Sequence, residues 1–181
     1  ALRIVQNADI TLDQVRVPAE MKLANADSFR DTAAVLRLTR AEVAWAAVGN
    51  AIGAYEGAVR YGSQREQFGT TIDHHQLIQE HYAKMLGNIT SSIALCTRVS
   101  AMLDDGTQKD EHSALAKEFA ASRMRETVAW ARESMGGNGI VLDYDVMRHF
   151  ADAEALYSYE GTREMNALIV GRAITGKAAF V

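Results

Sequence analysis

The chain has 181 residues, 48% of them hydrophobic and 23% charged, with a formal net charge of −4. That is enough apolar material for one domain with a real core, and too much for a disordered chain. The acidic balance argues against a nucleic-acid surface, and no apolar run reaches the length of a membrane-spanning helix.

A single cysteine, Cys96, leaves no internal disulfide framework and fits a reducing compartment. It lies in an apolar pattern and reads as a buried, inert thiol.

Residues 1–18 differ from the remainder. Ile10 and Leu12, then Val15 and Val17, alternate over short spans and predict a strand. One strand is not stable alone, so its sheet belongs elsewhere, in sequence outside this chain. The chain does not begin with Met and reads as a fragment. Pro18 is the single proline, which leaves everything after it free to be helical. Residues 19–30 read as a loop or linker.

A long Ala-rich helical pattern runs from about Asp31 to Arg65. Within it Gly49, Gly53 and Gly57 share a face with Ala46 and Ala54. Mid-helix glycines cost stability, so this face predicts close packing of another backbone. Ser63 to Thr71 breaks the pattern. Asp73 with Gln76 then offers a capping box for a second helix reaching Leu103. Its buried side is marked by Ile78, Tyr82, Met85, Ile89, Ile93, Cys96 and Met102.

Asp104-Asp105-Gly106 closes that helix. A third follows over 110–135, with Leu115, Phe119, Met124, Val128 and Ala131 as core candidates. Gly136-Gly137-Asn138-Gly139 stops it. Residues 143–157 hold a helical turn or two, and a last helix covers 162–179 with Thr162 as its N-cap. Long helices joined by short links predict an all-α antiparallel four-helix bundle, preceded by the remnant β-strand. The domain division is 1–25 and 26–181.

Candidate chemistry sits at three places. Glu160 falls between two helices, just before free backbone N–H groups and the positive end of a helix dipole. Gly161 beside it permits close backbone approach. Taken alone, Glu160 reads first as decoration of a helix start. The Gly136-Gly137-Asn138-Gly139 run could present N–H groups to a phosphate or serve only as a glycine-rich C-cap. It ends a helix rather than following a strand, so it is no dinucleotide fingerprint. Arg65-Glu66-Gln67-Phe68-Gly69 sets a guanidinium beside an aromatic ring, which suits pyrophosphate and a flat ring, and also suits an ordinary helix end.

His74, His75 and His81 do not converge on one point, and no Cys or acidic partner completes a set, so no metal site is expected. Arg37 and Arg40 near the start of the first helix read as surface ion-pair residues or as contacts to an anionic ligand.

Together these stretches resemble the C-terminal helical domain of the acyl-CoA dehydrogenase family. The carrying residues are Arg65-Glu66-Gln67-Phe68-Gly69, Gln76, Gly136-Gly137-Asn138-Gly139 and Tyr159-Glu160-Gly161-Thr162, in register along nearly the whole chain. Within the family the glutaryl-CoA dehydrogenases are the most similar, through Ala1-Leu2-Arg3, Gln6-Asn7, Asp9-Ile10, Met147-Arg148-His149 and the run Ala167 to Gly176.

The resemblance implies a flavoenzyme that removes two hydrogens from an acyl-CoA thioester, with FAD as cofactor. Glu160 becomes the base that takes the α-proton, and Gly161, Tyr159, Leu36, Arg37 and Arg40 become substrate contacts. Arg65 and Gln76 correspond to residues reaching the FAD of a neighbouring subunit, which implies a homo-oligomer, a tetramer in this family, and Gln67 and Phe68 become further cofactor contacts. Gly136 and Gly137 correspond to the loop at the adenosine end. Thr162, Glu164 and Phe180 correspond to further flavin contacts. Glu133 stands where many members carry Gln.

The resemblance further implies an electron-transfer flavoprotein as electron acceptor and a cytoplasmic or mitochondrial-matrix location. For the glutaryl type it implies decarboxylation to crotonyl-CoA. The family's N-terminal helical domain and most of its middle β-domain are absent from the sequence, so the chain alone is expected to be inactive. A helical assembly module without catalysis, and a dehydrogenase for another short-chain acyl-CoA, are the alternatives.

Overall fold

The computed structural model describes residues 1–179. Helix α1 (Phe29–Gly62) starts at Ser28, whose hydroxyl accepts the Arg30 N–H while the Asp31 carboxylate accepts the Ser28 N–H, a reciprocal capping box. Strands β1 (Glu66–Gln67) and β2 (Thr70–Thr71) follow as a minimal antiparallel hairpin. Its turn residues Phe68 and Gly69 both have positive φ, 58° and 80°, the signature of a tight type I′ turn. Helices α2 (Gln76–Asp104), α3 (Asp110–Ser134), α4 (Val146–Ser158) and α5 (Arg163–Thr175) complete the domain.

The all-α bundle expected from the sequence is present, and α3 is its axis, touching each of the four other helices. The core is built largely from alanines at helical spacing. Ala44, Ala47, Ala51, Ala54 and Ala58 of α1 face Ala116, Ala120, Ala121 and Ala131 of α3, with Met85, Met124 and Val128 filling the larger gaps. Small residues let the two helices approach closely.

Several expectations are corrected. Residues 1–18 form no strand: Ile10, Leu12, Val15 and Val17 are exposed, and nothing among the described residues supplies their ladder. Asp73 does not cap α2. It lies in a short 3₁₀ turn (Ile72–His74), where its carboxylate accepts from the Thr71 hydroxyl, and α2 begins after His75 with no side-chain cap.

Ile93 and Leu115 are exposed rather than core; Val99 and Ala116 hold the buried registers near them. The segment read as a turn or two is α4, a helix of 13 residues and as long as α5. The glycine face of α1 is approached by side chains, not backbone. A Cβ on Gly53 would lie 2.4 Å from the His149 ring, one on Gly57 2.9 Å from Val146, and one on Gly49 would meet nothing. Ala46 is exposed.

Candidate functional site

The α4–α5 junction carries the first candidate site. Helix α4 ends at Ser158, and α5 restarts at Arg163 after Thr162, whose hydroxyl accepts the Met165 N–H as its N-cap. Between them the backbone must reverse within four residues. It does so by placing Glu160 and Gly161 in the left-handed region, at φ 58° and 83°. That is natural for Gly161. For Glu160 it costs on the order of 1 kcal/mol and has to be over-determined by its surroundings.

The surroundings are specific. Thr39 Oγ1 donates to Glu160 Oε2 at 2.6 Å, and Arg40 Nε donates to the Glu160 carbonyl at 3.3 Å. Arg40 is buried, whereas Glu160 is only partly so. Asn166 Nδ2 bridges the carbonyls of Gly161 and Thr162 at 2.9 and 3.0 Å. Lys117 Nζ, on α3, donates to the carbonyls of Tyr157 and Gly161 at 2.7 and 2.8 Å. Burial lowers the Lys117 ammonium to about pKa 8, against an opposing pull from Glu160.

A cavity of about 470 Å³ opens here, lined by Ala155, Tyr159 and Glu160 on one side and by Ala1, Leu2, Val5 and Asn7 of the N-terminal stretch on the other. Burial, and secondarily the Glu160 charge, raise the Tyr159 phenol above its ordinary pKa. The arrangement presents a carboxylate, oriented by a hydroxyl, at the mouth of an apolar-walled space.

The second place is a cleft of about 410 Å³ between the start of the hairpin and the end of α3. Arg65, Gln67, Tyr61, Ser134, Gly136 and Gly137 line it. A Cβ on Gly136 or Gly137 would meet nothing within 4 Å, so these backbones face open space. Gly139 is different: a Cβ there would sit 2.2 Å from the Arg132 carbonyl oxygen, so the loop can close under α3 only with glycine at that position. Asn138 Nδ2 donates to the Tyr61 hydroxyl at 2.8 Å and anchors the loop to α1.

Residues 29–175 match the family model described as acyl-CoA dehydrogenase, C-terminal domain. The chain belongs to the acyl-CoA dehydrogenase family. It is 34% identical to the glutaryl-CoA dehydrogenase of Mycobacterium smegmatis, with a TM-score of 0.89 over 92% of this chain and 43% of that one. The structure of an M. smegmatis glutaryl-CoA dehydrogenase in complex with FADH2 gives 32% and 0.90, over 94% of this chain and 44% of that one. Cyclohexane-1-carbonyl-CoA dehydrogenase of Geobacter metallireducens is 29% identical over 96% of this chain and 46% of its own length. A caffeyl-CoA reductase–Etf complex subunit of Acetobacterium woodii is 28% identical over 90% of this chain and 43% of its own length. The chain thus spans less than half the length of these acyl-CoA dehydrogenase relatives.

Of the residues read from the sequence, Glu160, Gly161, Tyr159, Arg40 and Thr162 come together at the junction. Arg37 instead faces Asp110 of α3, at 3.8 Å. Glu164 pairs with Arg163 at the start of α5. Arg65, Gln67, Gly136 and Gly137 share the cleft; Phe68, Gln76 and Glu133 do not line it. Phe68 stands almost fully exposed at the hairpin tip, 94% accessible, its ring edge-on to His75. Leu36 is half-buried on α1, and Phe180 lies outside the described residues.

Sequence reading did not single out Thr39, Lys117 or Asn166. Lys117 carried a signal, since it interrupts the alanine face of α3 between Ala114, Ala116, Ala120 and Ala121. A lysine on a core face asks for a buried partner.

Proposed function

We propose that the chain is the C-terminal part of an FAD-dependent enzyme that dehydrogenates an acyl-CoA thioester across its α and β carbons, with Glu160 as the base. The observation that carries this is the Glu160 carboxylate, held on a left-handed backbone by Thr39 and Arg40 and opening onto a cavity. A thioester α-proton is weakly acidic, so the base has to be fixed within hydrogen-bonding reach of it and shielded from water. Tyr159 with Leu2, Val5 and Ala155 lines the space in front of the carboxylate. Gly161 supplies the left-handed φ of 83° that lets the turn close, and a Cβ there would lie 3.3 Å from Asn166 Nδ2.

The residues of the second cleft fit one end of FAD. The backbone of Gly136 and Gly137 is open to a ligand, the exposed Arg65 offers a guanidinium to a phosphate, and the volume is at the small end of ligand pockets. When bound, FAD would accept the hydride leaving the β-carbon. The chain's own contribution is to hold and orient the base and to position the cofactor's end.

Glutaryl-CoA, with decarboxylation to crotonyl-CoA, is the proposed substrate; the structural similarity to glutaryl-CoA dehydrogenases supports it. A different short-chain or cyclic acyl-CoA is the second reading, favoured by the named substrates of the other relatives. Exposed apolar side chains on α1 and α2, including Leu38, Trp45 and Leu86, support a homo-oligomer, proposed as a tetramer. The Etf-complex relative supports an electron-transfer flavoprotein as partner.

The test begins with the visible spectrum and size of the purified chain before and after adding FAD. The chain is then joined to the remainder of the M. smegmatis glutaryl-CoA dehydrogenase. A yellow chimaera bleached by glutaryl-CoA supports the proposal, with butyryl-CoA and cyclohexane-1-carbonyl-CoA as comparisons. Glu160→Gln in the chimaera is expected to lower turnover by roughly 10²- to 10⁴-fold. Full turnover of that variant would refute the assignment of the base.

A further inference from the structure

Lys117 is the largest fully buried side chain among the described residues, and it lies on α3 rather than on either helix that flanks Glu160. Its ammonium donates to the Tyr157 carbonyl and to the Gly161 carbonyl. These two groups bracket the left-handed residue: one is an unpaired carbonyl in the last turn of α4, the other the carbonyl just past Glu160. The position also sets a cation at the negative end of the α4 dipole. The charges around it are Glu160, Arg40, Glu164 and Glu118, and the ring of Tyr157 lies 6.0 Å away.

We propose that Lys117 is a positioning residue for Glu160, a buried cationic clamp that ties the two ends of the base-bearing turn to the central helix; this rests on the reading of Glu160 as the base. The carbonyls of four residues in this turn have side-chain donors. Arg40 takes Glu160, Lys117 takes Tyr157 and Gly161, and Asn166 takes Gly161 and Thr162. Of these only Lys117 reaches both sides of Glu160, and only Lys117 gives the Tyr157 carbonyl a side-chain donor.

Burying an ammonium is costly, as its depressed pKa of about 8 records. A merely structural role would be filled as well or better by a methionine of similar shape, because well-packed apolar replacements of buried charges are often neutral or stabilising. What methionine cannot do is hold two carbonyls. Deprotonation does not release them either, since a neutral amine still carries two N–H donors for two acceptors.

The experiment compares the 181-residue chain with its Lys117→Met and Lys117→Ala variants by amide hydrogen exchange. Both are expected to exchange roughly ten- to a hundredfold faster at residues 158–162 while α2 is unchanged, corresponding to the loss of one or two hydrogen bonds from a charged donor. In Lys117→Ala, n-propylammonium is expected to restore slow exchange, and n-propane is not.

Unaltered exchange at the turn in both variants would overturn the proposal. So would equal acceleration throughout the chain, or rescue by propane as good as by the amine. In the FAD-containing chimaera, Lys117→Met is expected to lower kcat at least tenfold with KM unchanged. If Glu160→Gln keeps full turnover there while the exchange result stands, the base assignment fails and the clamp survives as a statement about the turn alone.

Discussion

A pair of alanine substitutions separates a glycine that the fold requires from one that only a ligand would require. In Gly139→Ala the new Cβ would lie 2.2 Å from the Arg132 carbonyl oxygen and 3.2 Å from the Arg132 Cα. Ordinary contact needs about 1 Å more to that oxygen. The obstacle is backbone in the last turn of α3, where the same carbonyl accepts the Met135 N–H at 3.3 Å. No side-chain rotation can relieve the overlap, so either the end of α3 or the loop has to shift. Overpacking of this kind costs about 3 kcal/mol. For a domain of this size that lowers Tm by roughly 6–12 °C.

Gly137→Ala is the control. Its Cβ would meet nothing, and Gly137 is not among the positive-φ residues. Alanine there restricts the unfolded chain and is expected to stabilise by roughly 0.4–1 kcal/mol. Thermal melts of the two variants by circular dichroism check the first part, and FAD titration checks the second, with weaker binding expected only where a methyl enters the cleft. A Gly139→Ala chain melting within about 2 °C of the parent would refute the packing argument. Unchanged FAD binding by Gly137→Ala would remove Gly137 from the cofactor site.

Other expectations follow from the same contacts. Asn50 and His149 form a reciprocal pair, with Asn50 Nδ2 donating to the His149 carbonyl at 3.0 Å and its Oδ1 2.8 Å from His149 Nδ1. Asn50→Ala is therefore expected to destabilise by about 1 kcal/mol in urea denaturation, since it leaves the partly buried His149 ring nitrogen and carbonyl without this partner. Burial holds the His149 pKa below its usual 6.5; the unfolded chain then binds the proton more readily, so the stability His149 confers is present above pH 6.5 and lost as pH falls below it. A His149→Gln chain should show less of that acid sensitivity in melts between pH 7 and 5.

For Lys117 the folded pKa of about 8 lies below the ordinary 10.5. Its contribution to stability is fully present above 10.5 and lost as pH falls through 8, so the parent should gain about 3 kcal/mol relative to Lys117→Met between those limits. A constant difference between the two chains across that range would contradict the assignment. Thr39→Val removes the hydroxyl that orients Glu160 while keeping its shape. It is expected to lower turnover in the chimaera by roughly tenfold, one hydrogen bond to a charged group, at constant Tm.

The sequence made the helices legible because their ends are chemically marked. Gly106, the Gly136–Gly139 run and Thr162 stop or start helices for local reasons that a reader can see, and the observed boundaries lie within a few residues of the expected ones. The hairpin was missed because its tight turn has Phe, not Asn or Asp, at the first left-handed position. The strand expected in residues 1–18 rested on alternation alone, and alternation specifies which face is apolar without supplying a neighbouring strand.

At the site, Glu160, Gly161 and Arg65 were visible as motif residues, and Arg40 as a surface ion-pair residue or a contact to an anionic ligand. Thr39, Lys117 and Asn166 were not, since the bonds of Thr39 and Lys117 join residues about 40 to 120 positions apart and that of Asn166 depends on a turn whose left-handed course no local pattern announces.

The axis helix also acts as a ruler. Lys117 marks the junction end of α3 and Ser134 the cleft end, so the two lie 17 residues apart in one uninterrupted helix, or roughly 25 Å at 1.5 Å per residue. Helix α1 runs beside it as a second ruler, with Arg40 at the junction and Tyr61 at the cleft, 21 residues apart. Insertion of one residue between Lys117 and Ser134 would turn one end about 100° against the other, swinging Lys117 away from the turn or the glycine loop away from α1. Insertions in the 105–109 link leave the ruler untouched. Length variation between homologous chains is therefore expected in that link and not between Lys117 and Ser134.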